Sequence, residues 1–365
     1  MKVAILSMQE VKNYGSFLQA FSLKKTIESL GHTCDFINIV PGRQLTGYKI
    51  SRFHKAKLLC QRLWGWDFVK RFETIYKFQT RFSKEFLPYL GVGQRANHSH
   101  YDIVVIGSDE VFNCAQQTWF GFSPQLFGQG LNADKVITYA ASFGATTLDK
   151  LRTLGVKDEV AGLLKQLACI SVRDGNSAEI VNTLTGKEPL RHIDPVLIYD
   201  YTRYMSSEIK ESDYMIVYTY PGRITNKNEI KTIRAYAQAK GLKLVSIGHY
   251  FPWCDEVVVP TPFEVLSCFR DAACVVTDTF HGSVFAIKYN KPFCTIIRNM
   301  NSQKLSCLLK QFGLEDRIVN DVSHMQTILD TPIDYLPVDR QLEMEREKAI
   351  QYLTAELASL TYLPQ

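Results

Sequence analysis

Three residues of this 365-residue chain have the type and the setting for chemistry: His281 in TDTFHGSV, Arg173 in ISVRDGNS and Asp109 in VIGSDEVF. Imidazole exchanges a proton near neutral pH, so a histidine suits the role of general acid. The planar guanidinium fork matches a carboxylate or a phosphate in bidentate fashion. A carboxylate in a turn can take the proton of an incoming hydroxyl. Each residue also has a plainer use. His281 can be a helix-start residue bonded to local backbone, Arg173 a surface arginine paired with Asp174, and Asp109 a helix cap.

The elements that must position them follow from the sequence around each. Asp271 to Ile297 reads as strand, sharp turn, helix, strand. Ala273 to Val276 is a short apolar run, as a strand covered on both faces requires. Thr277, Asp278 and Thr279 can cap a helix from about His281 to Tyr289, which Asn290-Lys291-Pro292 stops before a strand at Phe293 to Ile297. His281 thus falls at a strand's carboxyl end and in a helix's first turn. Open α/β sheets bind ligands there, and the helix start favours anions. Tyr101 to Ile106 is a strand running into Gly107-Ser108-Asp109, and Cys169 to Val172 is a strand running into Arg173.

The rest of the chain keeps the same alternation. Val3 to Leu6 is a strand. Asn13-Tyr14-Gly15-Ser16 opens a helix capped by Ser16 that ends near Leu30 and Gly31, and Cys34 to Val40 is the next strand. The first loop lacks GxGxxG spacing, which argues against a nicotinamide site. Val136 to Ala141, Tyr214 to Tyr220 and Leu242 to Ile247 are further strands, with helices at Lys157 to Leu167, Asn228 to Lys240 and Pro262 to Phe269. After a helix at Leu305 to Phe312, the segment from Asp321 to Val338 reads as irregular. The expected fold is α/β, with two doubly wound Rossmann-like domains facing across a cleft. Residues 1–200 form the first domain, with a helical insertion at about 45–90. Residues 201–337 form the second, and residues 338–365 an amphipathic helix that can pack back on the first.

Composition narrows the class. Hydrophobic residues make up 46% and charged residues 22%, both globular values. The formal net charge of +5 is too modest to indicate nucleic acid. Nine cysteines, with no CxxC and no ligand-spaced cluster, fit reduced thiols in a cytoplasmic protein and argue against a metal site. MKVAILSMQEVKN has too short an apolar core for a signal peptide, and no apolar run is long enough to span a bilayer.

The charge is unevenly placed. Between residues 45 and 90, ten Lys or Arg face three Asp or Glu, so the segment carries +7 and the remainder −2. Phe68, Phe72, Ile75, Phe82 and Phe86 recur there at helical spacing. Such a stretch can rest on an anionic bilayer at the membrane's inner face. It can equally be an insertion packed on its domain with solvated charges, or a channel for an acidic acceptor.

NYGSFLQAFSLKKTIESLGH, VVIGSDEVFN, ITYAASFG, ISVRDGNSAEIV, the DPVL of residues 194–197 and VVTDTFHGSVFAIKYNKPF occur in an order that resembles the polysaccharide pyruvyl transferases, over about residues 1–313. The resemblance implies a two-domain fold similar to GT-B glycosyltransferases. It implies transfer of pyruvate from phosphoenolpyruvate to a hexose of a surface polysaccharide precursor, usually as a cyclic ketal. The family's VRD arginine matches Arg173, its late histidine His281, and a downstream basic residue Lys304. Thr279-Phe280 stands where some members have Arg-Leu, so a second phosphate-binding arginine is missing or supplied elsewhere, by Arg298 for example.

On that reading His281 is catalytic with Asp109, and Arg173, His281, Lys304 and Arg298 bind phosphoenolpyruvate. Asn13, Tyr14, Gly15 and Ser108 border the acceptor, a lipid-linked or nucleotide-linked sugar. No step requires a metal or a bound cofactor; phosphoenolpyruvate is a co-substrate. Two other classes share these features. One is a GT-B-like glycosyltransferase using a nucleotide sugar. The other is a glycan-binding or regulatory protein without catalysis, to which the Thr279-Phe280 departure points.

Overall fold

The computed structural model describes residues 1–45, 66–92, 100–208, 212–298 and 302–358. Among them the strands form two parallel sheets of six. The first holds β1 (Lys2–Leu6), β2 (Thr33–Phe36), β3 (Tyr101–Asp109), β4 (Ala133–Ala141), β5 (Ser171–Val172) and β6 (Leu190–Arg191), in the order β2-β1-β3-β4-β5-β6. The second holds β7 (Tyr214–Tyr218), β8 (Lys243–Ile247), β9 (Glu256–Val258), β10 (Cys274–Thr277), β11 (Phe293–Ile296) and β12 (Ile318–Val319), in the order β12-β11-β10-β7-β8-β9.

The central strands are continuous apolar runs because helices cover both of their faces. Val3 to Leu6, Ile103 to Ile106 and Met215 to Val217 have no exposed surface. In each sheet the strand order reverses once. The first reverses between β1 and β3, which pair from Val3↔Ile103 to Leu6↔Ile106. The second reverses between β7 and β10, which pair from Cys274↔Met215 to Thr277↔Tyr218. Ligand crevices of open α/β sheets lie outside the carboxyl ends of strands at such points.

By contact density the chain divides into two compact units. One takes the described residues of Met1–Gly47, Leu87–Tyr199 and Pro337–Gln365, the other those of Tyr48–Phe86 and Asp200–Leu336. The described part of the insertion up to Phe86 therefore groups with the second sheet, not with the first, where the sequence attaches it, while Leu87–Leu90 stays with the first. The part that groups with the second sheet is the Trp66–Arg81 helix, which continues through Phe82–Phe86. Arg81 Nη1 donates to the carbonyl of Val259 at 2.7 Å, Tyr250 donates to Asp67 at 2.5 Å, and the ring of Phe78 lies 5.6 Å from that of His249. Residues 46–65, the rest of the basic stretch, lie outside the described residues.

The Tyr335–Ala358 helix completes the first unit. Tyr352 donates to the carbonyl of Thr138 at 2.7 Å, Arg346 Nε to that of Leu197 at 2.7 Å, and Lys135 pairs with Glu356 at 2.7 Å.

Several boundaries move. Asn13, not Ser16, caps the Tyr14–Ser29 helix, its Oδ1 accepting from the amides of Gly15 at 2.7 Å and Ser16 at 3.5 Å. Strand β2 stops at Phe36. The segment read as irregular contains a helix at Met325–Asp330, and two-residue β12 escapes notice because so short a pairing leaves no periodicity. No disulfide joins the eight described cysteines. Among the described residues no helix is long and apolar enough to cross a membrane.

Candidate active site

At the reversal of the first sheet, β1 runs into Ser7 and β3 ends on Asp109. Ser7 Oγ donates to the carbonyl of Ser108 at 3.0 Å, tying the two strand ends together. Asp109 accepts from Ser16 Oγ at 2.9 Å on Oδ2 and from Arg173 Nη2 at 3.1 Å on Oδ1. Its backbone is left-handed, at φ 74°, and these two partners from different elements hold it there. Arg173 follows β5, and its amide donates to the carbonyl of Ala141 at 3.1 Å. Its other terminal nitrogen, Nη1, donates to Asp194 Oδ2 at 2.8 Å.

The result is a buried row of carboxylate, guanidinium and carboxylate. Burial alone would lower the Arg173 pKa, but Asp109 and Asp194 outweigh it and the value is raised. Asp174, the neighbour considered as its partner, is instead the cap of the Gly175–Thr185 helix. It accepts from the Ser177 amide at 2.8 Å and Ser142 Oγ at 2.6 Å. Both terminal nitrogens of Arg173 are thus engaged by protein carboxylates.

The residues expected beside an acceptor divide. Asn13 is partly exposed at the helix start, while Tyr14 and Gly15 are buried beneath it. Ser108 does not line a surface: it has no exposure, and its hydroxyl donates to the carbonyl of Ala140 at 2.9 Å.

The second sheet repeats the pattern with different residues. Beyond the ends of β7 and β10, Thr219 Oγ1 donates to Asp278 Oδ1 at 2.7 Å, bridging the reversal. The Asp278 side chain has no exposure. Burial pushes its pKa up, against the hydrogen bond from Thr219 and the charges of Arg223 and Arg298. Arg298 Nε lies 3.5 Å from Asp278 Oδ2, and its terminal nitrogens form a bidentate pair with Glu229 at 2.8 and 2.9 Å. Arg298, expected to bind an anion, is therefore clamped between two carboxylates. Arg223 Nη1 donates to the backbone carbonyl of Asp278 at 3.2 Å and lies 3.8 Å from its Oδ1.

Thr279 caps the Phe280–Lys288 helix, accepting from the Gly282 amide at 2.9 Å. Thr277 Oγ1 donates to the carbonyl of Tyr218 at 2.6 Å and accepts from the Thr279 amide at 3.0 Å, so the turn is fastened to both central strands. His281 stands in the first turn, 6% exposed, with its ring 5.5 Å from that of Phe280 and 6.0 Å from that of Phe285. Lys304, partly buried, stands in the first turn of the Ser302–Gln311 helix.

Residues of these clusters that escape sequence reasoning as site residues include Asp194, Thr219, Arg223, Glu229 and Asp278. Arg223 carried a usable signal, because Pro221-Gly222-Arg223 directly follows an apolar strand. Among the described residues one His/Asp group has ligand-like spacing, His100, Asp102 and Asp134. It lies at the amino ends of β3 and β4, away from the reversal, and His100 is bonded to Asp134 at 2.9 Å.

The chain belongs to the polysaccharide pyruvyl transferase family, whose model matches residues 13–299. No curated protein matches it. Among solved structures it is similar to Staphylococcus aureus MnaA with UDP (13% identity, 100% of this chain and 98% of that one, TM-score 0.47). It is also similar to Arabidopsis thaliana UGT89C1 with quercetin (10%, 99% and 99%, 0.49). A third is a mutant of the Thermobaculum terrenum O-GlcNAc transferase (12%, TM-score 0.46), where it covers 99% of this chain but only 66% of that one.

Proposed function

We propose that the protein moves pyruvate from phosphoenolpyruvate onto a hexose of a surface polysaccharide precursor, releasing phosphate and leaving a cyclic ketal. The family membership supports this reading, and the observation that carries it is the place of His281. The imidazole stands in the first turn of a helix at the second sheet's reversal, fastened by Thr277 and Thr279. A proton donor at such a position adjoins the part of the sheet where anionic ligands collect.

The chemistry is written as follows. His281 gives a proton to C3 of the enol while a sugar hydroxyl adds at C2. The C2–O bond to phosphate then breaks through an oxocarbenium-like state. A second hydroxyl of the same sugar adds at C2 and closes the ketal, its proton leaving to solvent. Asp109 is the candidate base for the first hydroxyl, and Arg173 keeps that carboxylate in place. Lys304 adds a point charge for the donor. Positioned proton transfer supplies about 10²–10⁴-fold of the rate.

A lipid-linked acceptor at the inner face of the membrane suits the insertion. The Trp66–Arg81 helix exposes Val69, Phe72, Ile75 and Tyr76. Lys70, Arg71 and Lys77 lie among them, an arrangement that favours anionic headgroups.

The experiment is phosphate release from phosphoenolpyruvate in the presence of lipid-linked and nucleotide-linked hexoses. Release that requires one acceptor is the expected result. No release with any acceptor, together with a melting-temperature rise given by a nucleotide sugar and not by phosphoenolpyruvate, replaces the reading with glycosyl transfer.

A further inference from the structure

Of the two arginines flanking Asp278, one is paired with a carboxylate in bidentate fashion and the other is not. Arg298 directs Nη1 and Nη2 to Glu229 and Nε towards Asp278. Arg223 makes a single guanidinium hydrogen bond among the described residues, from Nη1 to the carbonyl of Asp278 at 3.2 Å. Its side chain is 24% exposed, and the guanidinium carbon lies 4.7 Å from the centre of the Tyr220 ring. The Arg223 amide donates to the carbonyl of Tyr220 at 3.2 Å, which closes the turn that presents the side chain.

We infer that Arg223 is an oxyanion-binding residue of the second sheet's crevice, taking a phosphate or carboxylate group on the guanidinium edge that Asp278 leaves open. The inference rests on the donor reading above and adds the residue that fixes the donor. Nothing in the family resemblance points to Arg223. Three features converge on it. It emerges from β7, one of the two strands at the reversal, where ligands of such sheets bind. It is anchored at one nitrogen and backed by an aromatic face, so little freedom is lost when the remaining N–H groups meet an anion. It also answers the departure at Thr279-Phe280, which stands where some members of the family have Arg-Leu before the histidine. A threonine brings no charge there and is already used as the helix cap. Arg223 brings the charge from the adjacent strand's loop and borders the same turn through the Asp278 carbonyl.

The clamped pair has a defined part in this. Two guanidinium groups, Arg223 and Arg298, and two carboxylates, Asp278 and Glu229, make a neutral set. Asp278 is held by Thr219 and Arg298, so its carbonyl stays in place as the fixed point on which Arg223 pivots. An arriving oxyanion meets a guanidinium that is oriented but not neutralised by a bidentate partner.

The test is calorimetric titration of the whole protein with phosphoenolpyruvate, inorganic phosphate and a nucleoside diphosphate, using the natural protein, Arg223→Ala and Arg223→Lys. Loss of the fork is expected to weaken phosphoenolpyruvate binding by about 10-fold or more in Arg223→Ala. Arg223→Lys, which keeps the charge, is expected to fall between. Unligated melting curves and circular dichroism check the fold, and if the alanine variant misfolds the lysine variant decides. Unchanged phosphoenolpyruvate affinity in folded variants overturns the inference and leaves the donor reading standing. Arg223-dependent binding of the nucleoside diphosphate, with no phosphoenolpyruvate binding, overturns the donor reading and keeps the site. No anion bound by the natural protein overturns both.

Discussion

Arg173 donates to Asp194 at 2.8 Å with only 2% of the arginine side chain and none of the aspartate side chain exposed. The same guanidinium reaches Asp109 at 3.1 Å. A charge so enclosed is tolerable only with its partners present. Arg173→Ala leaves two carboxylates facing each other in a buried space, and should destabilise the protein by about 3–5 kcal/mol. Arg173→Lys keeps the charge but can serve only one carboxylate well, so it should lose less. Urea denaturation of the three proteins measures both, and equal midpoints would contradict the account.

Removing the His281 ring should separate chemistry from stability. His281→Gln keeps volume and polarity at a buried position but cannot deliver a proton near neutral pH. Phosphoenolpyruvate-dependent phosphate release should fall by about 10²–10⁴-fold while the melting temperature changes little. Release at the natural rate would remove His281 as the acid.

His192 predicts acid sensitivity for the first unit. It bonds Ser171 Oγ at 2.7 Å and lies between the rings of Tyr139, at 5.7 Å, and Tyr352, at 4.5 Å. Burial lowers its pKa from 6.5 to about 4, with Glu345 opposing that shift and Lys348 adding to it. The unfolded chain therefore takes up the proton first. The stability this neutral histidine contributes is whole above pH 6.5 and is lost as the pH falls towards 4, by at most about 3 kcal/mol. His192→Gln should flatten the stability profile over that window, read by denaturation at several pH values.

The exposed stripe on the insertion helix gives a membrane test. Phe72 is 59% exposed and Tyr76 62%. Changing both to glutamate costs little folding energy but adds two negative charges to an apolar, basic face. Co-sedimentation with vesicles rich in phosphatidylserine should drop, with the melting temperature held. Equal sedimentation would show that the face has no lipid role.

Gly282 cannot carry a side chain without rearrangement, since a Cβ there would collide with the Thr277 hydroxyl and crowd that of Thr279. Gly282→Ala should cost about 1–3 kcal/mol by overpacking and should also displace the turn bearing His281. Catalysis lost out of proportion to stability would mark the displacement, and a crystal structure of the variant would show it.

The central strands were legible because they are apolar on both faces and long enough to leave a pattern: Val3 to Leu6, Tyr101 to Ile106 and Tyr214 to Tyr220, which the structure ends at Tyr218, needed no tertiary information. The Phe280–Lys288 helix was legible through its threonine cap and its Asn-Lys-Pro stop. Side-chain partnership was not. Asp194 lies 21 residues from Arg173 and Thr219 lies 59 from Asp278, and no local rule links such pairs. Arg173 and Arg298 look alike in sequence to Arg223. Only the carboxylates brought beside them by the fold distinguish clamped arginines from an open one. The insertion's grouping with the second unit was hidden for the same reason, as it depends on contacts with Val259 and His249 nearly two hundred residues later.

The first unit is assembled from three stretches of chain, the last being the helix whose Tyr352 reaches the Thr138 carbonyl and whose Glu356 meets Lys135. During synthesis, then, the unit whose strands emerge earlier cannot be finished earlier. It waits with one flank uncovered until the final helix emerges, while residues 200–336 already have everything their own sheet requires.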